Sequence, residues 1–171
     1  MVSKDKITKV SESYFIGDIV DLANCKKKHL EKAKQIRWEL ATRSLGWVDG
    51  NHERIDLNNT VLMIHNSVIA VIAVHGDFEA WGDKKAIAYR SKKHGAGWFK
   101  RNLWVRSLKV FEKFGKHKPK QKMINNLIKK AKDFEASVII CGHTHPKKTY
   151  DEVHDGVRVI VLKRGLNEVD I

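Results

Sequence analysis

The 171-residue sequence has two cysteines and two prolines, and none of its apolar runs approaches the length of a membrane span. Cys25 and Cys141 cannot build a disulfide framework, and they lack the paired spacing of a zinc finger. Without some 20 consecutive apolar residues there is no candidate transmembrane helix. Met1–Ser11 is polar and has no apolar h-region, so a secretory signal is not expected. Acidic residues are also scarce. Asp and Glu number 20 against 33 Lys and Arg, a formal net charge of +13. A hydrophobic fraction of 42% is too high for a disordered chain. The expectation is one soluble domain over residues 1–171, in a reducing compartment such as the cytoplasm.

The positive surplus has an address. Residues 79–132 hold 17 Lys and Arg against 3 Asp and Glu, while the rest of the chain is nearly neutral. Trp98, Phe99, Trp104 and Phe111 are interleaved with these cations. The segment reads as a basic helical insert, with amphipathic helices expected over Asn102–Phe114 and Gln121–Phe134. Its candidate partners are polyanions: an anionic membrane surface, with aromatics at the interface, or the backbone of a nucleic acid. No helix-turn-helix, ribonucleoprotein motif or zinc finger accompanies it.

Outside the insert, strands and helices alternate. Tyr14-Phe15-Ile16 reads as a buried strand, and Lys26–Leu45 as a helix with Leu30, Ala33, Ile36 and Leu40 on one face. Trp47-Val48 is a short strand. Thr60–His65 and Val68–Val74 form a hairpin about Asn66-Ser67. Ser137–Ile140 is another buried strand, and Thr149–Val153 pairs with Val157–Leu162 about Asp155-Gly156.

Four of these strands end alike. Each runs into Gly beside Asp, Asn or His: Gly17-Asp18-Ile19-Val20-Asp21, Gly50-Asn51-His52-Glu53, His75-Gly76-Asp77 and Gly142-His143-Thr144-His145. Ligands of open α/β sheets collect at the carboxyl ends of strands, so the four clusters are expected to converge. Asp, Asn and imidazole without thiolate suit a divalent metal of catalytic rather than structural type.

These clusters resemble the second to fifth signature motifs of the calcineurin-like metallophosphoesterases, over a stretch from about Tyr14 to Leu162. His75-Gly76-Asp77-Phe78, the basic insert and Ile140-Cys141-Gly142-His143-Thr144-His145-Pro146 are similar to the branch that includes bacterial UDP-2,3-diacylglucosamine diphosphatases of lipid A synthesis. The resemblance implies an α/β fold, a β-sandwich flanked by helices in αββα layers. It also implies hydrolysis of phosphate esters or diphosphates at a two-metal site, with manganese first and Fe, Zn or Mg as alternatives. Asp18 would bridge the metals, Asn51, His75 and His143 would complete one of them, and His145 would serve the other. His52 would protonate the leaving oxygen, oriented by Asp21. In the lipid-processing branch the insert would be a lid over acyl chains.

The family's first motif, Asp-x-His on the first strand, occurs nowhere in the sequence. The expectation is an N-terminally incomplete domain lacking that strand, with one well-formed metal site, one crippled site and impaired activity. Two alternatives stand beside the hydrolase. One is a phosphodiesterase, nuclease or nucleic-acid-binding protein using residues 79–132, and the other a non-catalytic remnant that binds a partner. No NTPase phosphate loop and no Gly-x-Ser-x-Gly elbow is present, and Cys141 reads as core.

Overall fold

The computed structural model describes residues 13–19, 22, 25–53, 59–65, 68–90, 119–165 and 167–171, the side chains of residues 65, 88 and 89 excepted. Strand β1 (Tyr14–Ile16) pairs in parallel with β2 (Gly46–Val48), Ile16 opposite Val48. Parallel neighbours need a crossover, and here it contains a 3-10 turn at Lys27–His29 and helix α1 (Leu30–Arg43). Ser44 ends that helix by turning extended, its hydroxyl donating to the Ala41 carbonyl at 2.7 Å.

The larger sheet is five-stranded. It contains β3 (Val61–His65), β4 (Ala70–Val74), β5 (Val138–Cys141), β6 (Tyr150–His154) and β7 (Val157–Val161), in the order β3-β4-β5-β7-β6. β4, β5 and β7 run parallel, and β3 and β6 close the edges antiparallel. The central strands are almost unbroken Val, Ile and Ala because both their faces are covered. One face, with Val71, Ala73, Val138, Ile140 and Ile160, packs with Val48 and Ile16 of the small sheet. The other, with Ile72, Val74, Ile139, Val159 and Val161, meets helix α4 (Gln121–Asp133) through Ile124, Leu127 and Ala131. The molecule is therefore a mixed α/β fold, a central sheet flanked by helices.

The edge strand β6 alternates differently. Asp151, Glu152 and Val153 are exposed, and Arg158 of β7 holds Asp151 through two N–H donors at 2.9 and 2.7 Å. Charge on an edge strand discourages pairing with another chain. The β6–β7 turn places Asp155 and Gly156 at φ 49° and 79°, the paired left-handed residues of a type I′ hairpin.

Two short helices follow β4: α2 (Asp77–Trp81) and α3 (Asp83–Arg90). Of the basic segment 79–132, residues 91–118 lie outside the described residues, and the helix expected over Asn102–Phe114 lies with them. The segment's far end is α4, whose stripe of Met123, Ile124, Leu127, Ile128 and Ala131 is buried. Its near end contributes Glu79, buried against α4 and paired with Lys130 at 2.9 Å. Among the described residues no helix is long and apolar enough to cross a membrane.

Helix α1 keeps Leu30, Ala33 and Leu40 half-buried on its expected face, and one residue departs. Ile36 is 41% exposed, while Arg37 and Ala41 are the buried residues. Arg37 lies on the inward face and donates to the carboxylate of Asp49 just after β2, both groups buried.

Candidate metal centre

The loops at the carboxyl ends of β1, β2, β4 and β5 meet at one place. Gly17, at φ 78°, lies so close to His75 that a Cβ there would strike the imidazole Nδ1. Gly50 lies as close to the Asp18 carboxylate. Both positions demand glycine because the chains approach to backbone distance. The Gly142 N–H donates to the His75 carbonyl at 3.1 Å, which fastens the β5 loop to the β4 loop.

Three expected ligands adopt left-handed backbone: Asp18 at φ 51°, His143 at 61° and His145 at 44°. Such conformations cost about 1–2 kcal/mol each for side chains other than glycine. The other two non-glycine residues of this kind among those described, Glu135 and Asp155, lie just past a helix end and in a hairpin turn. Strain at the site is retained where it aims side chains inward.

The polar atoms converge. His75 Nε2 is 2.8 Å from Asn51 Oδ1, and His143 Nδ1 is 3.1 Å from the same oxygen and 3.2 Å from His75 Nε2. Asp18 Oδ2 is 3.6 Å from His75 Nε2. Two donors each about 2.1 Å from one ion, at tetrahedral or right angles, sit roughly 3.0–3.4 Å apart. The two spacings of His143 Nδ1, 3.1 and 3.2 Å, fall in that range, the His75–Asn51 contact is shorter at 2.8 Å and the Asp18–His75 contact longer at 3.6 Å.

Protonation gives the same answer. His75 Nδ1 faces the Ile16 carbonyl at 3.3 Å while Nε2 faces the Asn51 amide oxygen, and both neighbours are acceptors. A neutral imidazole has one N–H and satisfies one of them; His143 Nδ1, 3.2 Å from Nε2, is placed to donate to this cluster, and a cation beside Nε2 would take the same position. Burial, and then the neighbouring His75, His145, His52 and Arg90, push the His143 pKa well below the ordinary histidine range. A neutral ring is the metal-binding form. Between His143 and His145 the Thr144 hydroxyl is buried without a hydrogen-bond partner among the described residues. Counting His, Cys, Asp and Glu alone, no group of three or more among the described residues is arranged to hold a metal. The Asn51 amide oxygen is what extends the set.

Two buried ion pairs support the loops. Glu53, 1% exposed, accepts the Ile19 N–H at 2.5 Å on one oxygen and the Gly50 N–H at 2.7 Å on the other. It thereby ties the β1 loop to the β2 loop, with Arg37 Nε 3.7 Å away. Burial raises its pKa to about 7, against the opposing pull of the Gly50 N–H and Arg37. Behind the β4 loop, Arg90 makes a two-pronged pair with Asp77 at 2.8 and 2.7 Å and donates to the Asp49 carbonyl at 2.9 Å. Its guanidinium lies over the Phe78 ring, 4.9 Å from the centroid. The Trp81 ring closes one wall, edge-on to His143 with centroids 4.5 Å apart.

Of the residues singled out from sequence, Asn51, His75 and His143 are in mutual reach, and Asp18 approaches His75 at 3.6 Å. His145 stands at the mouth, where partial burial of its ring lowers its pKa against the opposing pull of the Asp18 carboxylate. His52 is half-buried beside Asp18, its backbone N–H donating to Asp18 Oδ1 at 2.9 Å. Asp21 lies outside the described residues. Arg37, Asp49 and Arg90 had no role in the sequence reading, and Asp77 figured there only as a member of its cluster. Charged side chains on helices look solvent-facing, and only tertiary structure shows them buried in pairs.

Three solved structures are among those similar to this chain. A single mutant of Vps29 from Entamoeba histolytica matches with 15% identity over 94% of this chain and 64% of that one, at a TM-score of 0.45. The double mutant of the same protein gives 14%, 95%, 65% and 0.46. Vacuolar protein sorting 29 from Cryptosporidium parvum gives 11%, 85%, 54% and 0.37. The chain spans less than two thirds of the length of each. No protein-family model matches the chain, and no curated protein matches it in sequence.

Proposed function

We propose that this chain is a metallophosphoesterase-type hydrolase of phosphate esters or diphosphates. One observation carries the reading: the Asn51 oxygen and the ring nitrogens of His75 and His143 lie within 3.2 Å of one another, beside the Asp18 carboxylate. Asp18, Asn51, His75 and His143 would hold a divalent cation, manganese first, and Asp18 with His145 would form the weaker second position. The cation would polarise a phosphoryl oxygen and lower the pKa of water.

The chain's own residues supply the rest. Three neutral donors against one carboxylate leave the centre cationic enough to accept a phosphate. The Asp18 contact to the His52 N–H holds that backbone at the site, and in this reading the imidazole would give the leaving oxygen its proton. Trp81 and the sheet exclude water from the His143 side. The likeness to UDP-2,3-diacylglucosamine diphosphatases concerns substrate, and none of the three similar structures is such an enzyme; a nucleotide-linked lipid is one member of the proposed class.

A second reading is a non-catalytic binding module. It draws on the absence, among the described residues, of three or more His, Cys, Asp or Glu arranged for metal. Hydrolysis of p-nitrophenyl phosphate with and without Mn2+ separates the two. Metal-dependent turnover that is lost in His75→Ala supports the hydrolase; bound metal without turnover supports the module.

A further inference from the structure

The two edges of the five-stranded sheet are built differently. β6 carries Asp151 and Glu152, and Arg158 of β7 pairs with the first of them. β3, at the other end, reads Val61-Leu62-Met63-Ile64-His65. It lies in the longest uncharged run of the chain: residues 57–76 contain no Asp, Glu, Lys or Arg, although 31% of the sequence is charged. Burial explains only the second half of that run. Val71, Ile72, Ala73 and Val74 are buried in β4, between two neighbouring strands, where an unbroken apolar sequence is expected. β3 is less covered. Met63 is 48% exposed, Leu62 and Ile64 are half-buried, and Val68, in the connection to β4, is 85% exposed.

An edge strand presents a row of backbone N–H and C=O groups on its outer side, which charge, proline or a bulge normally guards. β3 has no charge and no proline. Its five residues match β4 one for one, so no bulge twists it away. Among the described residues no strand pairs with its other side. Leu62 and Ile64 pack toward the small sheet and Val61 toward α4; alternation places Met63 on the same face as Val61.

We propose that β3 is a dimerisation edge, at which two copies of this chain pair β3 with β3, antiparallel about a two-fold axis, and join their five-stranded sheets into one. The strand is complementary to itself. With Met63 at the axis, Met63 meets Met63 and Leu62 meets Ile64, so these cross-strand pairs are all apolar. Main-chain hydrogen bonds between the two edges supply the rest. Charge selects the same occupant. A chain of net charge +13 repels its own copy wherever cations face one another, and the β3 edge is a place where they do not. An acidic partner would be drawn to the cations instead, and β6 is guarded by its carboxylates.

The test is sedimentation equilibrium of the full chain in about 0.15 M salt. The wild-type mass is expected to rise with concentration from that of one chain to that of two and to stop there, because a two-fold contact closes on itself. Met63→Lys sets like charges opposite each other at the axis and removes an apolar contact, so it should weaken the dimer about tenfold, and Met63→Glu should do the same. An equal mixture of the two variants should recover it, since opposite charges then meet. Val153→Lys, at an exposed position on β6, should leave the dimer unchanged. A wild type that stays monomeric up to about 1 mM, an assembly that grows without closing, or a dimer that survives Met63→Lys would overturn the proposal. Loss of the dimer in both charge variants without recovery on mixing would overturn it as well, since that marks general damage and not a matched edge.

Discussion

His75 and Asn51 are 24 residues apart in the chain, on loops from different sheets, yet the imidazole Nε2 and the amide oxygen are 2.8 Å apart. The other nitrogen of the same ring already faces the Ile16 carbonyl. One ring thus links β1, β2 and β4, and its second nitrogen is directed at acceptors. With His143 Nδ1 3.2 Å from the same Nε2, the three side chains form the arrangement that ligands sharing a cation would take.

The Asp77–Arg90 pair should behave as a buried pair does. Asp77 is fully buried and Arg90 6% exposed. Arg90→Ala strands the carboxylate and should cost about 3–5 kcal/mol in urea unfolding. The double variant Asp77→Leu/Arg90→Met should lose less than the single one. A larger loss in the double variant would mean that the pair itself, and not an orphaned charge, sets the cost.

Glu53 makes stability depend on pH with an unusual sign. Its pKa rises from 4.5 to about 7 on folding, so the folded state binds the extra proton between those values. Its stabilising contribution is whole below pH 4.5 and is lost as pH rises through 7, by an amount on the order of 3 kcal/mol. Metal-free wild type should therefore lose stability relative to Glu53→Gln across that window. Parallel stability–pH curves would refute the burial of an ionisable group at this position.

At position 145 backbone and side chain separate cleanly. His145 holds φ 44°, a conformation open to glycine at little cost. His145→Gly should be about 1 kcal/mol more stable than His145→Ala, since both lose the ring and only alanine keeps the strain. Thermal unfolding of the two variants measures the difference, and identical midpoints would argue against a left-handed residue here.

If His52 protonates the leaving oxygen, its value depends on the leaving group. His52→Ala should slow hydrolysis of an alkyl phosphate by about 10²–10⁴-fold and that of p-nitrophenyl phosphate far less, because nitrophenolate leaves without a proton. A uniform loss across leaving groups would point to a role in binding instead.

Much of the fold is visible in the chain. Tyr14–Ile16 is a strand bounded as its apolar run suggests, and the expected Gln121–Phe134 helix is Gln121–Asp133. The hairpin about Asp155-Gly156 is present because that dipeptide takes the two left-handed conformations the turn needs. Helices α2 and α3 escape the sequence reading, since five and eight residues split at Gly82 are too short for a 3.6-residue period to emerge. The candidate ligands were legible as Gly-flanked polar ends of strands. Their supports were not: Arg37 and Arg90 belong to helices, and nothing in their spacing marks them as turned inward toward Asp49 and Asp77.

The central claim is that four strand ends build a single well-formed site for a divalent cation. Equilibrium dialysis against Mn2+, with the bound metal counted per chain in wild type and in His75→Ala, addresses it without any assumption about substrate. The account predicts about one tightly held ion per wild-type chain and its loss in a variant that remains folded by circular dichroism. Equal occupancy in the two proteins, or no bound metal in the wild type, would contradict it.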